Sequence, residues 1–166
     1  MLNVNVNIFQ SAVNALKEIS IRQSPNETGG VLAGTRHFQD NVLEFNILGV
    51  LGATDCGDFK DAYIVSPTEF ICTDRVGWAN LALKAVQTFG MSYVGDWHSH
   101  PKCNLSKLSF QDISILMQQH ILGQFEPYPP LHILTHWSAS ASLINISANI
   151  MLGEYIAVVK PEIICN

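Results

Sequence analysis

Two histidines stand two positions apart in the stretch GDWHSHP, residues 95–101, and they are the first candidates for chemistry in this 166-residue chain. On a β-strand, residues i and i+2 point to the same face about 7 Å apart, so His98 and His100 could converge on one cation where Pro101 ends the strand. Neutral imidazole nitrogen is a good zinc ligand, and a catalytic zinc usually has three protein ligands and one water. Taken alone, the pair is more simply two hydrogen-bonded residues at a strand end, so a metal site needs a third ligand nearby.

The third ligand is expected in the motif SFQD. If Ser109 caps a helix, Asp112 lies in the first helical turn, where the positive helix terminus favours the ionised carboxylate. His98, His100 and Asp112 with an open fourth position would form a hydrolytic set, because a bound water has its pKa lowered towards ~7. A plain capping box is the alternative for Ser109 and Asp112, and the two roles are compatible.

Hydrolysis also needs a proton acceptor that is not itself a ligand. Glu27, in NETGGVLAG, is the best-placed carboxylate, because it directly precedes two glycines that let the backbone approach a neighbouring strand closely. From position alone, Glu27 is as readily a solvated loop residue as a general base. Asp96 lies on the same face of the strand as the histidines and could hydrogen-bond one of them. Contact with solvent or with a neighbouring polar group is the simpler expectation.

The other histidines and cysteines are predicted to be structural. His120, His132 and His136 lie outside these motifs and are expected in the core or on the surface, and Trp97 is expected to point into the core, opposite to the histidine pair. The four cysteines form no C-x-x-C pair, so a zinc knuckle and a thioredoxin-like motif are both excluded. Cys103, between the two ligand motifs, is expected to be an exposed, inert thiol, the alternative being a redox gate.

Composition favours a compact globular protein. Apolar residues make up 48% of the chain and charged residues 14%. The net charge of -5, without any run of lysine or arginine, argues against a nucleic-acid partner. The N-terminus lacks the pattern of a secretory signal, and no stretch approaches the roughly 18 apolar residues of a membrane span. We therefore expect a cytoplasmic protein with one domain over residues 1–166.

The elements that must position these residues follow from alternating strand and helix patterns. A period-2 strand (NVNVNIF) precedes a helical stripe, and two apolar runs joined by QDN predict a hairpin. Ser66, Pro67 and Glu69 predict the start of a helix that runs to Phe89, where Gly90 offers a left-handed stop. A strand, a second long helix from SFQD and two or three further strands complete the chain. This order predicts an α/β (α+β) fold, with helices packed on a mixed sheet.

Together, ETGGVLAG, GDWHSHP and SFQD closely resemble the motif of JAMM (MPN-type) zinc metalloproteases, which is a glutamate followed by H-S-H-P and then by S-x-x-D. Three ordered pieces make a specific pattern, and the order of elements around them matches over most of the chain. The motif GDWHSHP is most similar to that of the short, single-domain prokaryotic members of the family. The resemblance implies a cytidine-deaminase-like JAB/MPN fold, with a mixed curved β-sheet flanked by helices.

The resemblance also implies one zinc ion per chain, with His98, His100 and Asp112 as its ligands. It makes Glu27 the general base that positions the attacking water and then passes the proton to the leaving amine. It makes Ser109 the donor to the oxyanion of the tetrahedral intermediate, beside the metal acting as Lewis acid.

The chain departs from the family pattern between the two ligand motifs. Eight residues separate His100 from Ser109, where the family usually has seven. An extra residue in PKCNLSKL can bulge outwards without moving the strand or the helix. Ser106 becomes a weaker rival of Ser109, because no aspartate follows it three residues later.

The activity implied by the resemblance is hydrolysis of the amide bond after the C-terminus of a ubiquitin-like protein, as deconjugation or as precursor processing. The flexible tail would bind as an added strand at a sheet edge near Glu27 and the 50–66 segment. Short members of this type often accompany bacterial E1- and E2-like enzymes, including those of antiphage operons, and we expect these as partners. The alternatives are C-terminal processing of a sulfur-carrier protein in cysteine or thio-metabolite synthesis, a phage-tail or cell-wall peptidase, and a catalytically silent MPN-type scaffold. Scaffolds usually lose ligands, whereas this chain keeps every one.

Overall fold

The structure is a computed structural model that describes residues 2–57, 63–101, 105–121, 128–137 and 143–165, without the side chains of residues 119–121. Over these ranges the chain forms ten strands and three α-helices. In chain order they are β1 (Asn3–Phe9), α1 (Gln10–Gln23), β2 (Gly29–Gln39), β3 (Val42–Gly52), β4 (Tyr63–Ser66), β5 (Glu69–Cys72), α2 (Arg75–Phe89), β6 (Ser92–His100), α3 (Phe110–Ile121), β7 (Leu131–His136), β8 (Asn145–Leu152), β9 (Tyr155–Val159) and β10 (Glu162–Ile164).

Eight strands form one mixed sheet in the order β10-β1-β3-β2-β6-β7-β8-β9, and β4 and β5 form a separate hairpin. β1 is parallel to β3 and β10, and β6 is parallel to β7, whereas the other neighbours are antiparallel. The predicted mixed sheet with packed helices is therefore confirmed. β6, which ends in the histidine pair, lies between β2 and β7 in the middle of the sheet, so every side chain from Val94 to His100 is buried.

The two faces of the sheet bury separate apolar clusters. Leu16 of α1 packs on one face with Leu32, Phe45 and Trp97. On the other face, α2 packs against alternate residues of β2, such as Val31. Trp97 is 1% exposed, which confirms its predicted core position. Because side chains alternate along a strand, the neighbours of Trp97 in β6 face the α2 side.

The helix predicted to start at Ser66 does not form there, and that prediction was wrong. Ser66 and Glu69 instead close the hairpin between β4 and β5, and the Ser66 hydroxyl accepts the backbone N–H of Thr68 at 3.2 Å. Serine followed by proline suits a turn as well as a helix start, and the apolar residues that follow it favour a strand. The helix begins later, where the Asp74 carboxylate accepts the N–H of Val76 at 2.9 Å. Its predicted end is confirmed, since Gly90 has φ of 65°.

The described part of the chain also bears on the membrane and cysteine expectations. No helix within it combines the length and the apolar character needed to cross a membrane. Cys56, Cys72 and Cys165 are free thiols, and Cys56 is buried against α2, as expected of a space-filling residue. Cys103 lies outside the described residues, so the expectation of an inert thiol stays a prediction.

Candidate metal centre

Side chains from three parts of the fold converge at the end of β6. The Nε2 atoms of His98 and His100 are 2.9 Å apart, and both residues are buried, with 3% and 2% of their surface exposed. Asp112 Oδ2 lies 3.5 Å from Nε2 of His98 and 3.7 Å from Nε2 of His100. Glu27 Oε1 lies 3.9 Å from Nε2 of His100. The structure thus brings together the two histidines and both carboxylates that the motifs singled out.

Glu27 is brought to the site by the pairing of β2 with β6. Gly29 pairs with His98, and backbone hydrogen bonds continue past β2, where the N–H of Ser99 donates to the carbonyl of Thr28 at 2.8 Å. A Cβ atom at Gly29 would lie 2.5 Å from the Phe70 ring and 2.6 Å from the Trp97 carbonyl, so the close approach requires glycine there. The N–H of Glu27 donates to the carbonyl of Ser66 at 2.8 Å, which fixes the residue against the β4–β5 hairpin.

Asp112 is oriented by the predicted capping box of α3, which is confirmed. The N–H of Ser109 donates to Asp112 Oδ2 at 2.6 Å, and the N–H of Asp112 donates to Ser109 Oγ at 3.2 Å. The same carboxylate oxygen that closes the cap therefore faces the histidines. The connection carries one residue more than the family pattern, and in its described part the Leu105 carbonyl accepts Nδ1–H of His100 at 3.1 Å. The extra residue does not move Asp112 away from the pair.

The two carboxylates differ in their protonation. Burial raises the pKa of Glu27 from 4.5 to about 7, although the nearby His100 favours the ionised form. Burial also opposes ionisation of Asp112, but the neighbouring imidazoles of His100 and His98, at 3.7 and 3.5 Å, outweigh this and hold the pKa of its carboxyl well below the usual range. Asp112 is therefore an anion at neutral pH, whereas Glu27 can take up and release a proton there.

The two histidines also differ in their protonation. Burial lowers the pKa of His98. Burial acts in the same direction on His100, but its hydrogen bonds to Asp112 and to the Leu105 carbonyl, with the Glu27 charge, raise its pKa above the usual value. His100 therefore takes up a proton more readily than His98 does.

Neighbouring side chains account for the remaining polar residues. Asp96 is buried and accepts hydrogen bonds from Trp78 Nε1 at 3.0 Å and from the Tyr93 hydroxyl at 2.6 Å, which confirms a polar neighbour rather than solvent. His132 was expected in a core or surface role, but its Nε2 lies 2.5 Å from Nδ1 of His98. This contact crosses from β7 to β6, and the sequence offered no way to see it because it does not show that these strands are neighbours.

The donor atoms suit a divalent metal ion. One ligand atom each from Glu27, His98 and His100 lies within 4.8 Å of the others, so these buried groups could hold such an ion. Tetrahedral zinc bound at 2.0–2.1 Å keeps its ligand atoms roughly 3.4 Å apart. The separations between the two Nε2 atoms and the two carboxylates, from 2.9 to 3.9 Å, fall on both sides of that value. Imidazole nitrogen and carboxylate oxygen are ligands that zinc accepts well.

The profile of prokaryotic homologues of the JAB domain matches residues 9–136. The chain belongs to this family. Among solved structures, the JAB-domain chain is similar to the solution structure of protein DSY2949 from Desulfitobacterium hafniense, with a TM-score of 0.64 and 16% identity over 97% of this chain and 92% of that one. At that identity, the likeness concerns the fold alone, and it agrees with the predicted JAB/MPN architecture. No curated protein matches the chain significantly.

In this JAB domain, a cleft of about 510 Å³ opens beside the candidate site, between α2, β6 and α3. His98 and Asp112 form part of its wall, so the cleft is continuous with the site. The aromatic side chains of Phe70 and Trp78 form part of the remaining wall. A substrate bound at the site therefore has space beside it, on the side of Asp112.

Proposed function

We propose that this JAB domain is a zinc-dependent peptidase of the JAMM type, which hydrolyses the amide bond after the C-terminus of a ubiquitin-like protein. One zinc ion would be held by His98, His100 and Asp112, with Glu27 as general base and Ser109 as oxyanion donor. The observation that carries the proposal is that Asp112 Oδ2 lies within 3.7 Å of both imidazoles and Glu27 Oε1 lies 3.9 Å from one of them, with the pKa of Asp112 held low and that of Glu27 raised to about 7. Sites that divide the roles of ligand and base need such a difference.

The assignment of ligand and base rests on distance and charge. Asp112 is closer to both Nε2 atoms, at 3.5 and 3.7 Å, and is already an anion, as a metal ligand must be. Glu27 is farther, at 3.9 Å, and its pKa of about 7 matches the operating pH of a general base. When bound, zinc would polarise the scissile carbonyl and make water acidic enough to attack at neutral pH.

The residues of the chain then move the protons. Glu27 accepts a proton from the attacking water and returns it to the amine that leaves, so that one water is consumed and the carboxylate is restored. Ser109 Oγ accepts the N–H of Asp112 at 3.2 Å, and its own hydroxyl proton can be donated to the oxyanion. Ser109 therefore has two compatible roles, as helix cap and as hydrogen-bond donor.

The surroundings of the site suit a protein substrate. Leu105 and Phe110, on either side of Ser109 in the chain, are 58% and 86% exposed. Exposed apolar side chains beside a site are typical of protein contacts. Beyond Glu27, the β4–β5 hairpin offers a short edge to which an extended C-terminal tail could add as a strand. Both features support recognition of a folded ubiquitin-like protein and its tail.

The setting follows from the family resemblance. We place the domain in the bacterial cytoplasm, with E1- and E2-like conjugation enzymes of an antiphage system as partners. Processing of the C-terminus of a sulfur-carrier protein would use the same amide hydrolysis as cleavage after a ubiquitin-like protein. The two reactions differ only in the protein whose C-terminus is released. The ubiquitin-like or sulfur-carrier proteins encoded beside this chain are therefore the substrates to examine.

Two measurements test the proposal. Elemental analysis of purified protein should find about one zinc per chain, lost in Asp112→Ala and kept in Glu27→Gln. A neighbouring ubiquitin-like protein, fused through its C-terminus to a reporter or linked to a lysine amine, should be cleaved by the wild type and not by Glu27→Gln. If the protein bound no zinc even after zinc was added, the peptidase proposal would be rejected in favour of the scaffold. If Glu27→Gln cleaved the substrate as fast as the wild type, the assignment of Glu27 as general base would be wrong.

A further inference from the structure

A third histidine contacts His98 from the side opposite to the candidate metal position. β7 is parallel to β6, with Asp96 opposite His132 and His98 opposite Leu134, so these side chains share one face of the sheet. His132 Nε2 lies 2.5 Å from Nδ1 of His98, and the two ring centroids are 4.7 Å apart. The carbonyl of His132 accepts a hydrogen bond from the amide of Asn149 on β8 at 3.3 Å, which secures its backbone.

Two proton arrangements satisfy this contact. In the first, His98 carries its proton on Nδ1 and donates it to His132, which leaves Nε2 of His98 with a free lone pair. In the second, His132 donates from Nε2, and His98 carries its proton on Nε2, towards His100. Only the first arrangement lets Nε2 of His98 bind a cation, because a protonated nitrogen is not a ligand.

The geometry around the two rings favours the first arrangement. The Nε2 atoms of His98 and His100 lie 2.9 Å apart, and Asp112 Oδ2 lies 3.5 and 3.7 Å from them, so both nitrogens face the candidate metal position. A cation bound there needs a free lone pair on each Nε2, which places the proton of a neutral His98 on Nδ1, within hydrogen-bond distance of His132. His100 also donates from Nδ1 to the Leu105 carbonyl, so each ring is anchored through Nδ1.

We propose that His132 is a positioning residue, which accepts Nδ1–H of His98 and thereby presents the unprotonated Nε2 of that ring to the metal. The inference rests on the proposed function for its metal and deepens it by naming what orients one ligand. A metal-bound histidine normally donates its other N–H to such an acceptor, and loss of the acceptor typically costs 10–100-fold in metal affinity. His132 acts through His98, and it also lines the cleft beside the site.

Two variants of similar size separate the hydrogen bond from packing. His132→Gln keeps an acceptor, because its amide oxygen reaches about as far as the imidazole Nε2, whereas His132→Leu removes the acceptor. His37→Gln, on the exposed end of β2 away from the site, is the matched control. Thermal unfolding of the metal-free proteins establishes that each variant folds, and if His132→Leu does not fold, His132→Gln and the wild type still decide the question.

The first readout needs no metal. Nitrogen-15 NMR of the imidazole rings in metal-free protein should show His98 as the Nδ1–H tautomer in the wild type and in His132→Gln. His132→Leu should shift His98 towards the Nε2–H tautomer. A wild-type His98 already protonated on Nε2 would overturn the proposal, whether or not the protein binds zinc.

The second readout is zinc affinity, measured by competition with a chelator. We expect a 10–100-fold loss in His132→Leu, near-complete recovery in His132→Gln, and no change in His37→Gln. Equal affinity of wild type and His132→Leu would refute the positioning role. If the wild type bound no zinc but showed the Nδ1–H tautomer, the proposed function would fail while the assignment of the His98–His132 hydrogen bond stood.

Discussion

Substitution of Glu27 by glutamine should stabilise the metal-free protein at neutral and alkaline pH. Glu27 is only 8% exposed, and burial raises its pKa from 4.5 to about 7. A carboxyl whose folded-state pKa is raised favours the folded state while it is protonated, and stability is lost as the pH rises from the unfolded to the folded pKa. With about 1.4 kcal/mol for each pH unit, the loss between pH 4.5 and pH 7 is about 3 kcal/mol.

Glutamine is neutral at every pH and does not suffer this loss. Chelator-treated wild type and Glu27→Gln should therefore be similarly stable at pH 4, and the variant should be up to about 3 kcal/mol more stable at pH 8. For a chain of this length, that difference corresponds to roughly 6–12 °C in melting temperature. Urea unfolding and thermal melts at several pH values measure it, and Glu154→Gln, at an exposed position, should show no such dependence.

Addition of zinc provides the counterpart of this experiment. A bound cation stabilises the ionised carboxylate of Glu27, so the advantage of glutamine at pH 8 should shrink or reverse. A difference between wild type and Glu27→Gln that does not change with pH would refute the placement of Glu27 in a desolvated site. A variant that is less stable at pH 8 without metal would do the same.

Three further predictions concern α3 and its N-terminus. Asp112→Ala should lose both the metal ligand and the capping box, so zinc binding should fall below detection while the melting temperature of metal-free protein drops by the equivalent of about 1 kcal/mol. Ser109→Ala should keep zinc, lose 0.5–2 kcal/mol of stability by urea unfolding, and lower kcat by roughly 10²–10³; an unchanged kcat would limit Ser109 to capping. Phe110→Ala, at an 86% exposed position, should leave zinc content and stability unchanged but raise KM for a ubiquitin-like substrate, and an unchanged KM would exclude this residue from the substrate contact.

The features that the sequence predicted well are local in the chain. The spacing of His98 and His100 fixes their common face, and the four residues from Ser109 to Asp112 contain both halves of a capping box. Glu27 is more distant, yet the two glycines that follow it indicate the close strand pairing that brings it to His98. Each of these arrangements is determined by backbone periodicity or by steric access within a few residues.

The features that the sequence did not predict depend on long-range pairing or on competing local preferences. Ser66 and Glu69 fit a capping box and a hairpin turn equally, and the contact of this hairpin with Glu27 and Gly29 is possible only in the folded chain. His132 becomes a neighbour of His98 only because β6 and β7 lie parallel and adjacent, 34 residues apart in sequence. Periodicity places His132 on a strand but does not identify the strand beside it.

The contrast between Glu27 and Asp112 bears on the choice between an enzyme and a silent scaffold. Asp112 acquires its low pKa from an N–H and two imidazoles, so it contributes to stability as well as to a metal site. Glu27 has the opposite effect, because its ionised form destabilises the metal-free fold at neutral pH. A purely structural role is met better by glutamine, which fills the same volume without charge. A buried carboxylate with a pKa of about 7, held beside a metal-binding pair, therefore favours a group that must accept and release a proton.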